Sequence, residues 1–455
     1  MEFVSLPFAA GLVVVFVLYY LFPNRRWQRA LLLMASAAFI GYNSLVHLAF
    51  AVGITLFSFY AGRLLARKIN RRSAPFILWG SIALLIAVWI AARYAVGVFP
   101  LGISFYTFQA LAYLIEIYWE EEPENSLPDF ALYMLLFMKF LSGPIERADQ
   151  LLPQIKKARM FNYEQTVRGL MTLAGGAFMK LMIADRIAPS LDGVFVDVHN
   201  ATSMQLLQVT MLYPIQLYAD FAGYTLMAIG IGQMFGFRLS PNFNRPFTSQ
   251  STTELWRRWH MSLSFWVRDY VFTPLSASLR QHGVWGIRLS LLVTFIVIGV
   301  WHGAGIAFAA YGLFQGLLVV FEQATARQHE WFQKKAPRIY APLMTIRTYV
   351  LFALSLLFFR LENTREVFYV YSHLFDGFTT GIKELKLGLT DFYWIVFGIA
   401  VVLMFAAEWA ESQHSLIDRL RRANSLVRWA AYFVFATILF AFGAFGVENF
   451  IYTQF

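Results

Sequence analysis

Two histidines stand where histidines are uncommon. His302 lies between Trp301 and Gly303, at the end of an apolar run from Ile287 to Val300, and another apolar run follows at once. His260 closes the stretch Glu254-Leu255-Trp256-Arg257-Arg258-Trp259-His260, which continues as Met261-Ser262-Leu263-Ser264-Phe265-Trp266-Val267-Arg268-Asp269-Tyr270. A neutral imidazole takes up a proton near pH 7. Ionisable residues at membrane depth are expensive, and a functional reading is the default for them. His302 is therefore a candidate general base. The plainer account is a histidine that donates a hydrogen bond to a neighbouring helix.

Other chemistry lacks its residues. The chain has no cysteine, which removes disulfides, thiolate metal ligands and thiol nucleophiles together. It has no Gly-x-Ser-x-Gly elbow, no His-Glu-x-x-His and no acidic ligand cluster, so neither a serine triad nor a metal site has support. General-base chemistry without a protein nucleophile remains. Acyl transfer fits it: a base deprotonates an acceptor hydroxyl, whose oxygen attacks an activated acyl thioester.

The elements that must position these groups are membrane spans. Of 455 residues, 58% are hydrophobic, 18% aromatic and only 14% charged, against roughly 25% charged in soluble domains. The chain reads as an all-α polytopic membrane protein. No Pro/Ser-rich linker divides it, so it reads as a single membrane-embedded domain over residues 1–455. No cleavable signal is expected, because the first apolar run, Phe3 to Phe22, is long enough to span.

Apolar runs at 3–22, 30–45, 46–62, 76–94, 100–118, 168–186, 205–237, 287–303, 304–322, 342–360, 392–410 and 428–446 are the expected spans. Basic residues cluster between them, at Arg25 to Arg29, Arg63 to Arg72, Arg147 to Arg168, Arg327 to Arg338 and Arg419 to Arg428. The positive-inside rule puts all of these in the cytoplasm, with both termini outside. It also accounts for the net charge of +10 without nucleic-acid binding. Phe130 to Leu141 is too short to span. A re-entrant segment closing on Ser142-Gly143-Pro144 resolves the parity, since irregular backbone at depth is tolerated where protein buries it.

Two further features are read from spacing. Asp220 interrupts an apolar run between Tyr218 and Phe221. It either pairs with a nearby arginine or hydroxyl or lines a polar cavity. Helical spacing across 254–270 places Trp256 and His260 on one face with Trp259 adjacent. Tryptophans beside arginines suit an interfacial helix, a reading that explains the tryptophans better than it explains His260. The remaining histidines, His47, His199, His282, His329, His373 and His414, fall at span ends or in loops and read as solvated or interfacial.

Several ordered motifs carry a resemblance. They are Trp301-His302-Gly303, the block Trp256 to Tyr270, Leu101-Gly102-Ile103-Ser104-Phe105-Tyr106, Ser142-Gly143-Pro144, Asp220-Phe221-Ala222-Gly223-Tyr224 with Met227-Ala228-Ile229-Gly230, and Asn242-Phe243-Asn244-Arg245-Pro246. With them the chain resembles the membrane-bound O-acyltransferase family, in its bacterial branch concerned with alginate O-acetylation and with D-alanyl transfer to teichoic acids. The resemblance covers about 100–322 and resumes in the C-terminal part, 342–455. It implies a ring of tilted transmembrane and re-entrant helices around a central funnel. It also implies that His302 is catalytic and that His260 is the second functional position, with Trp301, Asp220, Arg257, Arg258 and Trp256 as candidates to line the funnel or hold the donor.

The donor implied is a cytoplasmic thioester, acetyl-CoA or an acyl-carrier protein, used as co-substrate with no bound cofactor. The tail Phe450-Ile451-Tyr452-Thr453-Gln454-Phe455 resembles a terminal motif of the branch, with Thr453 where Phe is usual. In that motif the tyrosine is an acyl relay to an SGNH-type partner at the outer face. An aromatic tail anchored at the interface is the simpler account of Tyr452.

The expected function is transfer of an acyl group, acetyl first, across the bacterial cytoplasmic membrane for O-acylation of a cell-surface polysaccharide. Met261 to Trp266 and Ala222-Gly223-Tyr224-Thr225 lean towards D-alanyl transfer, whereas Gly232-Gln233-Met234-Phe235-Gly236-Phe237 leans towards acetylation. A lipid or protein acyltransferase would use the same residues on a different acceptor. A non-enzymatic carrier would move the group without making a bond, and the absence of an internal repeat weighs against it.

Overall fold

The computed structural model describes residues 3–94, 100–141, 143–303, 305–376 and 384–446. Among them there is no strand. The helices, in chain order, are α1 (Leu6–Leu21), α2 (Arg25–Asn43), α3 (Leu45–Arg67), α4 (Ala74–Tyr94), α5 (Ile103–Tyr118), α6 (Leu127–Leu135), α7 (Phe137–Phe140), α8 (Ala148–Ile155), α9 (Tyr163–Phe178), α10 (Asp185–Phe195) and α11 (Ser203–Met234). They continue as α12 (Thr252–Arg258), α13 (Met261–Val267), α14 (Thr273–Ser278), α15 (Gly283–His302), α16 (Ile306–Ala324), α17 (Ala326–Lys335), α18 (Pro337–Leu361), α19 (Thr364–His373), α20 (Asp391–Gln413), α21 (Leu416–Arg422) and α22 (Ser425–Phe442).

Each apolar run of the sequence lies on a helix. Eight helical stretches among the described residues are long and apolar enough to cross a membrane, so the chain is a multi-pass membrane protein. Side-chain caps mark many of the starts. Ser44 caps α3 through Val46 N, Ser126 caps α6 through Asp129 N with Pro128 in the first turn, and Asn424 caps α22 through Val427 N. Each cap satisfies a backbone donor that no helical carbonyl reaches.

The chain divides into two compact units. The first comprises Met1–Gly176 and Tyr224–Pro241. In it, the segment too short to span breaks at Leu136, between α6 and α7. Its residues from Leu132 to Leu141 are buried, as irregular backbone at depth requires. Phe137 N donates to Ser36 Oγ at 3.0 Å, so a neighbouring helix meets a donor that the break leaves open. α9 and the second half of α11 touch through glycine: a Cβ on Gly169 would stand 2.6 Å from Gly230 O. Small residues permit such close helix approach where no hydrophobic effect drives association.

The second unit comprises Ala177–Gly223 and Asn242–Phe455. Its framework is the hairpin of α15 and α16, flanked by α18. A Cβ on Gly299 would meet Phe308 O at 2.2 Å, and one on Gly312 would meet Phe295 O at 2.2 Å. The crossing is therefore set by backbone contact, and it delivers His302 at the very end of α15.

Candidate active site

His302 is the last residue of α15, and Gly303 leaves it in extended backbone with φ −166° and ψ 164°. Any residue can adopt that conformation, so glycine is required here for another reason. The Phe308 ring, fully buried, occupies the space beside it: a Cβ on Gly303 would lie 2.0 Å from Phe308 Cε2. The His302 side chain is buried. Its ring meets Phe359 of α18 edge-on at 5.1 Å between centroids, and Trp301 at 4.5 Å. Tyr311 of α16 stands at 6.2 Å.

His260 reaches the same place by a different route. The spacing predicts one helix through Trp256, Trp259 and His260; the structure departs from this. α12 stops at Arg258, Trp259 is extended, and His260 is left-handed at φ 42° and ψ 54° before α13 begins. The cause lies in the preceding loop. Asn242 O accepts from Met261 N at 2.8 Å, Asn242 Oδ1 accepts from Ser262 N at 3.1 Å and Ser262 Oγ at 2.9 Å, and Asn244 N donates to Arg258 O at 2.9 Å. These bonds replace the helical ones the break removes. A non-glycine residue in this region is strained, and such strain gathers at functional sites.

The break turns the His260 ring into the core. It is 1% exposed, edge-on to Phe221 at 4.7 Å and 6.2 Å from the Trp301 ring. Both histidines thus pack against Trp301. Two imidazoles near one indole, with Phe221 against one and Phe359 against the other, suit accepting a proton from a hydroxyl or donating a hydrogen bond to a developing oxyanion.

The remaining candidates are distributed as follows. Trp256 is buried, and its Nε1 donates to Gln315 Oε1 at 3.0 Å. Trp259 is buried among Phe243, Tyr218 and Phe352. Trp266 is buried too, so the block's tryptophans are core residues and not rings laid in a headgroup layer. Arg257 is exposed and Arg258 pairs with Glu254 at 2.7 Å; neither is among the rings that surround the two histidines. The other six histidines are not buried. Tyr452 lies outside the described residues.

Asp220 is paired, and its partner is a lysine. Lys180 Nζ stands 2.7 Å from Asp220 Oδ1 and 2.7 Å from Asp185 Oδ1, all three side chains being buried. Lys180 sits in a π-helical stretch, Met179–Ala184, that joins α9 to α10; such wide turns are frequent at functional sites. Phe221, the next residue after Asp220, is the ring against His260. Reading the run 168–186 as a plain span misses Lys180 and Asp185, although the argument that singles out Asp220 applies equally to a lysine within an apolar run. Gln315, fully buried in α16, is another polar residue the same argument reaches.

Residues 120–361 match the family described as MBOAT, membrane-bound O-acyltransferase family. The chain is 32% identical over 410 residues to a probable alginate O-acetylase AlgI of Pseudomonas aeruginosa, covering 85% of this chain and 77% of that protein. It is 28% identical over 410 residues to a peptidoglycan O-acetyltransferase of Helicobacter pylori, covering 79% and 76%. It is 32% identical over 250 residues to a teichoic acid D-alanyltransferase of Streptococcus thermophilus, covering 51% and 59%.

Proposed function

The chain belongs to the membrane-bound O-acyltransferase family, and from that premise we propose that it transfers acetyl from a cytoplasmic thioester, across the bacterial cytoplasmic membrane, for O-acylation of a cell-surface polysaccharide. The observation that carries the site is the convergence of His302 and His260 on Trp301 from separate elements. The choice of acetyl rests on coverage. The match extends over about three quarters of the alginate and peptidoglycan O-acetylating proteins, but over 59% of the D-alanyltransferase.

In this reading His302 Nε2 or Nδ1 takes the proton of the acceptor hydroxyl. The oxygen attacks the thioester carbonyl, the C–S bond breaks, and the proton passes to the leaving thiolate. His260 donates a hydrogen bond to the carbonyl oxygen as charge develops on it. The donor is acetyl-CoA or an acyl-carrier protein, and the basic cytoplasmic loops suit its phosphates or acidic surface. Residues 1–455 act as one catalytic domain, with Trp301, Asp220 and Trp256 supporting the walls and Arg257 and Arg258 meeting the donor.

Tyr452 is the proposed relay: its phenol takes the acetyl group and hands it to an SGNH-type partner outside. A phenol has an ordinary pKa near 10 and needs a base to attack, and His302 is the base available. Tyr452→Phe keeps the ring and removes the hydroxyl. Normal polysaccharide acetylation in that variant ends the relay.

The test of the central reading is His302→Ala in membranes fed labelled acetyl-CoA. Transfer into the glycan fraction should fall by about two to four orders of magnitude, the usual worth of a general base, with the protein level unchanged. Full transfer in a folded His302→Ala protein sinks the reading.

A further inference from the structure

α12 runs alongside α16, and two side chains of α16 hold it there. Gln315 and Glu322 are seven residues apart, two turns, so they project from one face of the helix. At one end, the Glu322 carboxylate accepts from Thr252 N at 2.7 Å and from Thr253 N at 3.1 Å, with Thr253 Oγ1 at 3.3 Å. Both oxygens are thus engaged by the first turn of α12. At the other, Gln315 Oε1 accepts from Trp256 Nε1 at 3.0 Å.

The two holding groups are themselves fixed. Arg347 Nη2 donates to Glu322 Oε1 at 2.9 Å and to Gln250 O at 3.3 Å. Gln315 Nε2 donates to Ser355 Oγ at 2.6 Å, which in turn donates to Phe352 O. Both anchors belong to α18.

The direction of the pairing matters. As α12 advances from Thr252 to Trp256, its partners on α16 recede from Glu322 to Gln315. α12 ends at Arg258, and His260, two residues further on, stands 6.2 Å from the ring of Trp301 on α15, so the placement of α12 feeds directly into that of His260. A carboxylate that needed only a cation would be satisfied by Arg347. Its use on two backbone N–H groups at a helix start fixes where that helix begins.

We propose that Gln315 and Glu322 form a register clamp that sets His260 against Trp301, which makes Glu322 a positioning residue for acyl transfer although it lies two turns beyond the nearest side-chain tie to the site. The proposal rests on the reading that His260 serves the reaction. Displacing a catalytic group by about 1 Å costs on the order of a hundredfold in rate, so a slipped register is visible in turnover while the helices remain folded.

The experiment uses the full chain in membranes fed labelled acetyl-CoA, with transfer into glycan as the readout and membrane protein level as the control. Glu322→Ala and Gln315→Leu should each lower transfer about tenfold or more, and Glu322→Gln, which keeps one acceptor oxygen, should lose less. The decisive arm is the double variant: on a His260→Ala background, Glu322→Ala should cause no further loss. Multiplying losses in the double variant, or full transfer with Glu322→Ala, overturns the clamp while leaving the role of His260 intact. Where Glu322→Ala does not accumulate, Glu322→Gln serves in the same cycle. Full transfer with His260→Ala alone instead defeats the site reading, and the clamp with it.

Discussion

The Phe308 ring fills the space that a side chain at Gly303 would need. The nearest ring carbon lies 2.0 Å from the position of a Cβ there. Phe308 is 1% exposed and is flanked by Phe359, at 5.9 Å between centroids. The ring cannot swing clear, and Gly299 and Gly312 hold the helices too close for the backbone to yield.

Gly303→Ala should therefore act by overpacking, which costs typically 1–3 kcal/mol in a well-packed core. Because the clash lies beside His302, turnover should fall more than stability does. Pairing Gly303→Ala with Phe308→Leu removes ring atoms from the clash and should restore part of both. Thermal unfolding of the purified protein, alongside transfer in membranes, checks this. A Gly303→Ala protein with wild-type melting and rate would show that the ring yields after all.

His260 offers a separation of conformation from chemistry. Its left-handed backbone costs a non-glycine residue roughly 1–2 kcal/mol, which glycine does not incur. His260→Gly should melt no lower than His260→Ala, yet both should lose about a hundredfold in transfer, the worth of a lost oxyanion donor. If either substitution changes only thermal stability and spares the rate, the imidazole has no part in the chemistry.

The contrast between the two histidines shows what a sequence carries. His302 is legible because its setting is local: apolar runs on both sides, and a glycine after it. The spans are legible for the same reason. The orientation of His260 is not local. Helical spacing extends α12 through it, and the break arises from Asn242 and Asn244, whose bonds exist only in the folded chain. The burial of Trp256 against Gln315 is equally tertiary. Arginines beside tryptophans suggest a headgroup layer, whereas Trp256, Trp259 and Trp266 all pack inward and Arg257 is left at the surface.

Sidedness can be tested directly, because the chain has no cysteine. Lys68 follows the end of α3, and Lys334 and Lys335 end α17. The excess of basic residues in these loops predicts that they face the cytoplasm. Single cysteines introduced there should react with a membrane-impermeant maleimide only after the membrane is opened. Labelling of both in intact cells would invert the topology.

Lys180 is expected to be the least replaceable charged residue in the second unit. It holds two buried carboxylates, each at 2.7 Å, and its removal takes a cation from both in a low-dielectric interior. Breaking a buried ion pair from one side typically costs 3–5 kcal/mol, because the remaining charge is uncompensated. Lys180→Met should consequently lower the melting temperature steeply. The same substitution combined with Asp185→Asn and Asp220→Asn should recover much of the loss, since no net charge is left behind. The wall of the site gives a second readout: Asp220 precedes Phe221, whose ring stands 4.7 Å from His260. The triple variant, though folded, should still carry out acyl transfer more slowly than wild type if the ion triad holds that wall in place. Melting of Lys180→Met at the wild-type temperature would mean that water or a shifted proton already compensates the carboxylates, and the triad would then have no structural role to defend.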